Sequence, residues 1–471
     1  WVIALFWIAG MLIYRTLFYK GGAKNIVIAF VLFIAVLALN LFVTRPPLKR
    51  VPAVENRRPD VTEIVEVEQG KLTGVYNKKH TAKVYAGIPY AKPPVGDLRF
   101  REPQKPDAWE GVRKCNKFGP MAMQKRGATL IDSLSHILGW HDYLVRAGDE
   151  YLEEISEDCL YLNVFTPADV SADMASANAA EGELLPVIFY IHGGYLTTGQ
   201  SSFSEYRGED LAAKGVVFVS IAYRLGVFGY YAAEDLKPES ANATTGNYGL
   251  LDQIAALQWV YDNIEAFGGN KNKITIAGES AGSSSVNALC VSPLAKGLFR
   301  YAIAESSSIN AKKPFHTFRS YKEAIETGND VRKEFGVETS DELRKIPASK
   351  LVQTKTAHSA MTVDGYAITE MPYLTYEKGK NHEKALLNGF NAKESDAFCL
   401  PTKATSENYE SLLDKELPKE YYRAMYIFLA GIVVIAILGN ASSIFKLTGI
   451  QLLPQFPDAK GAMKAISMVQ V

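Results

Sequence analysis

A single serine, with a strand pattern before it and a helix pattern after it, is the feature that most constrains this fold. It lies in the stretch ITIAGESAGSS, residues 274–284. The β-branched run at its start predicts a buried strand, and the residues from 283 onwards can continue as a helix. Gly278 and Gly282 allow a tight turn that exposes Ser280 above a sheet, as in a nucleophile elbow. The alternative is a serine in an ordinary turn, and the flanking strand and helix patterns favour the elbow.

Two further strand-like runs precede this serine, and a helix-like run follows them. The runs are LPVIFYIHGG at 185–194 and GVVFVSIAYRLG at 215–226, and the helical pattern covers 249–269. Strands rich in valine and isoleucine that alternate with helices predict an α/β fold with a central, mostly parallel sheet flanked by helices. The HGGY motif at 192–195 follows a strand, where backbone N–H groups can face an oxyanion, although a simple glycine turn is the alternative.

Composition excludes several classes of partner. The chain has 471 residues, of which 48% are hydrophobic, with 51 basic and 51 acidic side chains. Zero net charge argues against a nucleic-acid partner, and the length allows a large core. The four cysteines have no metal-like spacing, so we expect buried thiols rather than a metal site or a dense disulfide framework, and no cofactor. They are Cys115, Cys159, Cys290 and Cys399.

The first fifty residues differ sharply from the rest. Residues 1–14 are almost entirely apolar and start without methionine, and residues 25–43 carry no charge. We therefore expect two transmembrane helices within 1–50, the first of them truncated, and a bilayer as partner. Proline-rich residues 51–60 predict a linker. Basic residues flank both apolar segments, which leaves the orientation open, and we favour an extracytoplasmic, membrane-bound domain.

Six motifs then occur in a fixed order. They are VYAGIPYAKPPVGDLRF, SEDCLYLNVFTP, YIHGGYLTTG, AYRLGVFGY, GNYGLLDQIAALQWV and ITIAGESAG. With them the chain resembles the type-B carboxylesterase/cholinesterase family, which has the α/β-hydrolase fold, over residues 61–426. The resemblance implies a small-molecule ester substrate. It implies nothing about the oligomeric state.

The resemblance also implies catalytic roles. Ser280 would be the nucleophile, and the N–H groups of Gly194, Tyr195 and Ala281 would form the oxyanion hole. Glu394 would be the acid that orients a histidine. From the residues alone, Glu394 is one acidic side chain among many in a loop after a strand.

Two structural ion pairs are implied in the same way. They join Arg99 to Glu157 and Arg224 to Asp252, and each pair connects motifs that are far apart in sequence.

Some positions depart from the family pattern. Tyr195 replaces a glycine or alanine, and Ala122 stands where the family has the disulfide partner of Cys159. We therefore expect Cys159 to be unpaired, although Cys115 is near enough in sequence to be considered. The family's QSG reads ESS here, so one serine keeps the hydroxyl that supports the acid, and two neighbours are substitutions. These three residues are Glu305, Ser306 and Ser307.

The base of the triad should be a histidine downstream of Glu394, and the chain has none there. Its seven histidines are His80, His136, His141, His192, His316, His358 and His382. The family pattern ends near 426, and the apolar residues 427–439 are short for a membrane span. Three interpretations stay open for 427–471: a frameshifted or truncated gene model, a third membrane anchor, or the divergent terminus of a pseudoenzyme.

Two functions from different classes compete. The first is a membrane-anchored serine carboxylic-ester hydrolase that works through an acyl-enzyme at Ser280. The second is a non-catalytic adhesion or interaction protein of the same fold, like the neuroligins. Because those members lose the serine that this chain retains, we favour the esterase. Without the histidine, however, we expect little activity from these 471 residues.

Overall fold

The computed structural model describes residues 58–125, 154–169, 184–307, 317–392 without 357 and 359, and 394, with isolated residues before 58. The chain divides into two compact units. The first, residues 1–52 with 126–154, lies almost wholly outside the described residues, and the second contains everything discussed below. In the described part, no helix has the length and apolar character to cross a membrane. The apolar segments at 1–14, 25–43 and 427–439 lie outside the described residues, apart from a few isolated positions.

Fifteen strands are present in the described residues. They are β1 Val65–Val67, β2 Gly70–Thr73, β3 Val75–Tyr76, β4 Ala82–Pro89, β5 Val112–Lys114, β6 Met121–Ala122, β7 Ile155–Ser156, β8 Tyr161–Pro167, β9 Leu185–Ile191, β10 Val217–Ile221, β11 Gly269–Glu279, β12 Tyr301–Glu305, β13 Phe318–Ser320, β14 Met361–Val363 and β15 Ala385–Gly389.

Eight α-helices accompany these strands in the same residues. They are α1 Glu209–Ala212, α2 Gly226–Tyr230, α3 Tyr248–Asn263, α4 Ala281–Val291, α5 Tyr321–Phe335, α6 Ser340–Arg344, α7 Ala348–Leu351 and α8 Pro372–Glu377. Short 3₁₀ turns lie at Gly96–Leu98, Ser204–Tyr206, Glu234–Glu239, Ile264–Phe267 and Pro293–Ala295.

Eight strands form the central sheet, in the order β15-β12-β11-β9-β10-β8-β4-β3. The five strands from β15 to β10 are parallel to their neighbours, whereas β8, β4 and β3 pair antiparallel. The expectation of a mostly parallel sheet is therefore only partly correct, since the sheet is mixed. Its antiparallel edge comes from the segment before residue 168, which contains no long helix among its described residues to carry a parallel crossover.

Strands β9, β10 and β11 lie in the middle of the sheet. All five residues of β10 are buried, whereas β9 alternates between buried and partly buried positions. The predicted strand at 274–276 belongs to the longer β11, which has an irregular register against β9 between Gly269 and Ile274. The helix predicted at 249–269 ends earlier, because α3 stops at Asn263 and a 3₁₀ turn follows.

Helix α4 lies in the interior. All eleven of its residues are buried, including four polar ones, so it is covered on every side rather than along one stripe. A large hydrophobic cluster from β9, β10, β11, α3 and α4 surrounds it. The first residue of this helix directly follows Ser280, so the candidate serine stands on one of the best-packed elements of the described structure.

Candidate active site

Ser280 occupies a sharp turn between a strand and a helix. Strand β11 ends at Glu279 and α4 begins at Ala281, and Ser280 itself has φ 55° and ψ −120°. Such backbone angles in a residue other than glycine cost about 1–3 kcal/mol and need support from the surroundings. The Ser280 N–H donates to the carbonyl of Glu305 at 2.9 Å, and its own carbonyl accepts from the N–H of Ser284 at 2.9 Å. The predicted elbow geometry is present.

The two glycines of the motif are required by close backbone contacts. A Cβ on Gly282 would lie 2.1 Å from the carbonyl oxygen of Ile191, at the end of β9. A Cβ on Gly278 would lie 2.5 Å from the carbonyl carbon of Gly282. Only glycine allows the turn and the end of β9 to approach this closely.

The loop after β9 runs beside the serine. A Cβ built on Gly193 would lie 3.3 Å from the Cβ of Ser280 and 2.8 Å from the carbonyl oxygen of Glu279. The HGGY motif and the serine turn, which are far apart in sequence, are therefore neighbours. This is the arrangement that a site for acyl transfer needs, with N–H donors next to the nucleophile.

The three predicted donors lie in this region. The N–H of Ala281, the first residue of α4, has no partner within its own helix. Gly194 has φ 108° and Tyr195 has φ 58°, and the turn is closed by the N–H of Thr198, which donates to the Gly194 carbonyl at 2.9 Å. The following Leu196 is buried, whereas 47% of Tyr195 is exposed. The buried side chain of Leu196 thus anchors this loop, whereas the Tyr195 side chain is exposed to solvent.

His192 directly precedes the 193–195 loop and contacts its first residue. Its ring stacks on Tyr223 with a centroid distance of 4.5 Å, and its Nδ1 lies 2.8 Å from the carbonyl oxygen of Gly193. Burial lowers the pKa of His192 to about 4, so the ring is neutral near pH 7. A neutral ring facing a carbonyl must donate its Nδ1–H. The Tyr223 hydroxyl donates in turn to the carbonyl of His192 at 2.8 Å. Both the ring and the backbone carbonyl of His192 are therefore hydrogen-bonded.

Glu394 lies after β15 and is held by hydrogen bonds from the segment that follows β12 and from its own loop. Its Oε1 accepts from the hydroxyl of Ser306, from the backbone N–H of Asn391 at 2.7 Å and from the Asn391 side chain at 3.1 Å. The predicted support of the acid by Ser306 is thus present in the geometry. Burial raises the pKa of Glu279, with added contributions from the charges of Glu394 and Glu305.

Sequence reasoning missed Asn391 and Tyr223. Asn391 lies three residues before Glu394, a spacing at which a side chain can bond across a loop, and this was the available signal. Tyr223 lies in the motif AYRLGVFGY and gave no signal of its contact with His192.

In the described residues, no histidine bonds both Ser280 and Glu394. The four described histidines have other surroundings: a pair with Asp60, the oxyanion loop, a fully buried site, and a backbone bond to Cys290. They are His80, His192, His358 and His382. The other three, His136, His141 and His316, lie outside the described residues. The absence of a base stays a prediction.

Both expected ion pairs have bidentate geometry. Arg99 contacts the two carboxylate oxygens of Glu157 at 2.6 and 2.5 Å, and Arg224 contacts those of Asp252 at 2.8 and 2.7 Å. Burial raises the pKa of Asp252, and the adjacent guanidinium opposes that rise. The first pair joins two loops, whereas the second joins the segment after β10 to helix α3 and is almost fully buried.

The cysteines of the described residues do not cross-link the site. Cys115, Cys159 and Cys290 are buried free thiols, and Cys399 lies outside the described residues. The backbones of β6 and β7 pair where the family disulfide would be, with Ala122 opposite Ser156. Within the described ranges, no group of three histidine, cysteine or acidic side chains is placed to hold a metal ion.

Comparison with known proteins agrees with this geometry. The sequence model of the carboxylesterase family matches residues 61–430. The fumonisin B1 esterase of Sphingopyxis macrogoltabida is 35% identical over 366 residues, which are 75% of this chain and 60% of that protein. Carboxylesterase 1C of Mus musculus is 36% identical over 345 residues, 70% of this chain and 57% of that protein. The chain thus spans less than two thirds of the length of either relative.

Solved structures agree as well. A PNB esterase superposes with a TM-score of 0.61 at 32% identity, covering 76% of this chain and 69% of that one. A Geobacillus stearothermophilus carboxylesterase superposes with a TM-score of 0.59 at 33% identity, covering 77% and 70%. The fold is that of the α/β-hydrolases, and since the family model covers most of the sequence, the chain belongs to the carboxylesterase family.

Proposed function

We propose that this protein is a serine carboxylic-ester hydrolase that works through an acyl-enzyme at Ser280. The observation that supports this most is the strained turn of Ser280 with the 193–195 loop beside it. The adhesion alternative has less support, because the serine turn and its donor loop are both retained.

In the proposed reaction, the Ser280 Oγ attacks the ester carbonyl carbon, and the carbonyl oxygen becomes an oxyanion. The N–H groups of Gly194, Tyr195 and Ala281 donate to that oxyanion. Collapse of the intermediate breaks the bond to the alcohol, which leaves with the proton that came from Ser280, and an acyl-serine remains. Attack by water on the acyl-serine releases the acid and restores Ser280.

The proton of Ser280 needs an acceptor. In the proposed site, an imidazole between Ser280 and Glu394 takes this proton, and Glu394 stabilises the imidazolium. The 471 residues contain no histidine after Glu394. We therefore expect this chain to hydrolyse esters slowly, at about 10³–10⁴ times the rate in water, as expected for an oxyanion hole without a complete triad.

Added imidazole tests this proposal. We would measure hydrolysis of p-nitrophenyl acetate by the unaltered protein and by Ser280→Ala over a range of imidazole concentrations. Because imidazole itself attacks aryl esters, the measure is the difference between the two proteins. We expect similar rates without imidazole and an advantage of about tenfold or more for the protein with Ser280 when imidazole is present.

Two controls define the result. Glu394→Gln should reduce the imidazole-dependent advantage, since the acid would no longer stabilise the imidazolium. Fast, serine-dependent turnover without imidazole would show that another group of this chain activates Ser280. No serine-dependent rate at any imidazole concentration would reject the esterase mechanism.

We also propose that residues 1–50 anchor the protein in a membrane, with the esterase domain on the extracytoplasmic side. The support is the length of the apolar segment at residues 25–43, together with its absence of charge. After cell lysis, the protein should stay in the membrane pellet through an alkaline wash and be released by detergent. Release by the wash alone would contradict the anchor, and protease access in intact cells would report the side.

A further inference from the structure

The end of strand β12 bonds three different parts of the site through three consecutive residues. The carbonyl of Glu305 accepts from the N–H of Ser280 at 2.9 Å. The hydroxyl of Ser306 donates to the carboxylate of Glu394. The hydroxyl of Ser307 contacts helix α4, so the segment 305–307 touches the nucleophile, the acid and the helix that follows the nucleophile.

The contact of Ser307 with α4 consists of two hydrogen bonds. Its Oγ accepts from the side-chain amide of Asn287 at 3.1 Å and lies 3.1 Å from the Oγ of Ser284. Since it accepts from Asn287, its own proton is available for Ser284. Asn287 is fully buried and Ser284 nearly so. Both bonds therefore end on rigid groups.

Ser284 belongs to the helical turn that starts at the nucleophile. Its backbone N–H donates to the carbonyl of Ser280 at 2.9 Å. Bonds thus lead from Ser280 through Ser284 and Ser307 to Ser306, and from there to Glu394. This path connects the two predicted catalytic residues without passing through a histidine.

The backbone conformation of Ser306 needs support from the residues on both sides of it. This residue has φ 59°, a left-handed conformation that a residue other than glycine keeps only when its surroundings hold it on both sides. On one side, its N–H donates to the carbonyl of Gly389 at 2.7 Å, and the carbonyl of Glu305 is bonded to Ser280. On the other side, the described bonds are those of Ser307. A glycine at 307, as the family pattern has, would offer no hydroxyl for them.

We propose that Ser307 is a positioning residue that fixes the end of β12 on α4 and thereby sets the placement of Glu394 relative to Ser280. The proposal rests on the esterase mechanism above only for its effect on rate. The hydroxyl of Ser307 touches no reacting atom, and it acts through Ser306 and Ser284.

The test compares three variants of the full chain. Ser307→Gly removes both hydrogen bonds, Ser307→Thr keeps a hydroxyl, and Ser292→Ala is the matched control. Ser292 is fully buried at the other end of α4, and its Oγ has no hydrogen-bond partner. Ser292→Ala therefore removes one buried oxygen at the end of the same helix without breaking a hydrogen bond.

Two readouts are measured for each variant. Amide hydrogen exchange is followed in peptides that cover the ends of β11 and β12, and imidazole-supported, Ser280-dependent ester hydrolysis gives kcat and KM. We expect Ser307→Gly to speed exchange at these ends about tenfold while other strands stay unchanged. We expect it to lower kcat about 5- to 10-fold with KM within about twofold, because misplaced groups slow the chemical step rather than binding.

The remaining results decide the proposal. Ser307→Thr, which keeps a hydroxyl, should leave both readouts within about twofold of those of the unaltered protein. If Ser307→Gly exchanges and reacts like Ser292→Ala, the positioning role is wrong. If the unaltered protein shows no serine-dependent hydrolysis, the esterase mechanism fails instead, and the exchange data alone decide whether Ser307 holds the end of β12.

Discussion

The serine and the acid of the candidate site stand on very different parts of the molecule. Ser280 lies between the central strand β11 and helix α4, in which every residue is buried. Glu394 follows β15, the edge strand of the sheet. There, 67% of Leu387 and 59% of Phe390 are exposed. One candidate catalytic group belongs to the core, and the other to the margin of the described fold.

The two parts are also held by different forces. The serine turn is shaped by backbone contacts that leave no room for a side chain at Gly278 and Gly282. The acid is positioned by side-chain hydrogen bonds from Ser306 and Asn391. Core geometry resists change until packing is broken, whereas hydrogen-bonded geometry at a margin changes in small steps. Substitutions on the serine side should therefore have the larger effects.

A pair of glycine substitutions gives the largest expected contrast. Gly282→Ala would place a Cβ 2.1 Å from the Ile191 carbonyl, whereas at Gly389 of β15 a Cβ would meet nothing within 4 Å. We expect Gly282→Ala to lower the free energy of unfolding by more than about 3 kcal/mol or to prevent folding, and Gly389→Ala to change it by less than about 1 kcal/mol. Urea denaturation measures both. Equal losses would remove the distinction between core and margin.

A second contrast uses ion pairs. Arg224 and Asp252 are almost fully buried in the core, and Asp252→Asn would leave the guanidinium without its carboxylate. We expect a loss of about 3 kcal/mol or more in the free energy of unfolding. The matched change on the acid side is Glu370→Gln. It removes the partly exposed carboxylate that pairs with Lys378, and the change in unfolding free energy should be within experimental error. A larger loss for Glu370→Gln would reverse the comparison.

The smallest contrast concerns pH. An unfolded histidine titrates near pH 6.5, whereas burial lowers the pKa of His192 to about 4. Between these values the unfolded state binds a proton that the folded state does not, so stability is full above about pH 6.5 and falls as the pH approaches 4. At pH 5, the loss attributable to His192 relative to neutral pH is roughly 2 kcal/mol.

His192→Phe should therefore flatten the dependence of the unfolding free energy on pH in this range. His382, just before β15, also has a pKa lowered by burial, but it is only partly buried. His382→Phe should flatten the curve less. If the two variants have equal slopes, the two histidines are equally desolvated and the contrast fails.

The sequence predicts the serine side well for a physical reason. The strand, turn and helix at 274–284 are local, and their apolar pattern and glycines determine the turn without distant partners. The order of the motifs along the chain predicts that the 193–195 loop lies near Ser280, and in the structure it lies beside this serine. Roles within these elements, such as the oxyanion donors, stay predictions.

The acid side depends on contacts between distant residues. Ser306 and Glu394 are 88 positions apart, and nothing in either segment alone marks the pairing, so only family resemblance indicated it. The bonds of Ser307 to α4 were missed altogether, because a serine hydroxyl carries no periodic pattern. The antiparallel strands β3, β4 and β8 were missed as well, because they lie outside the βα repeats from which a parallel sheet was inferred.

The position of β9 has a consequence for how the chain folds during synthesis. Strand β9 pairs with β10 on one side and with β11 on the other, and β11 is made much later than either. Until then, one edge of an apolar strand that contains Val187, Ile188 and Phe189 has no partner. Open apolar edges invite pairing with other chains. We therefore expect chaperones to bind nascent chains that end between β10 and β11, and to be released once β11 closes the sheet and the turn at Ser280 forms.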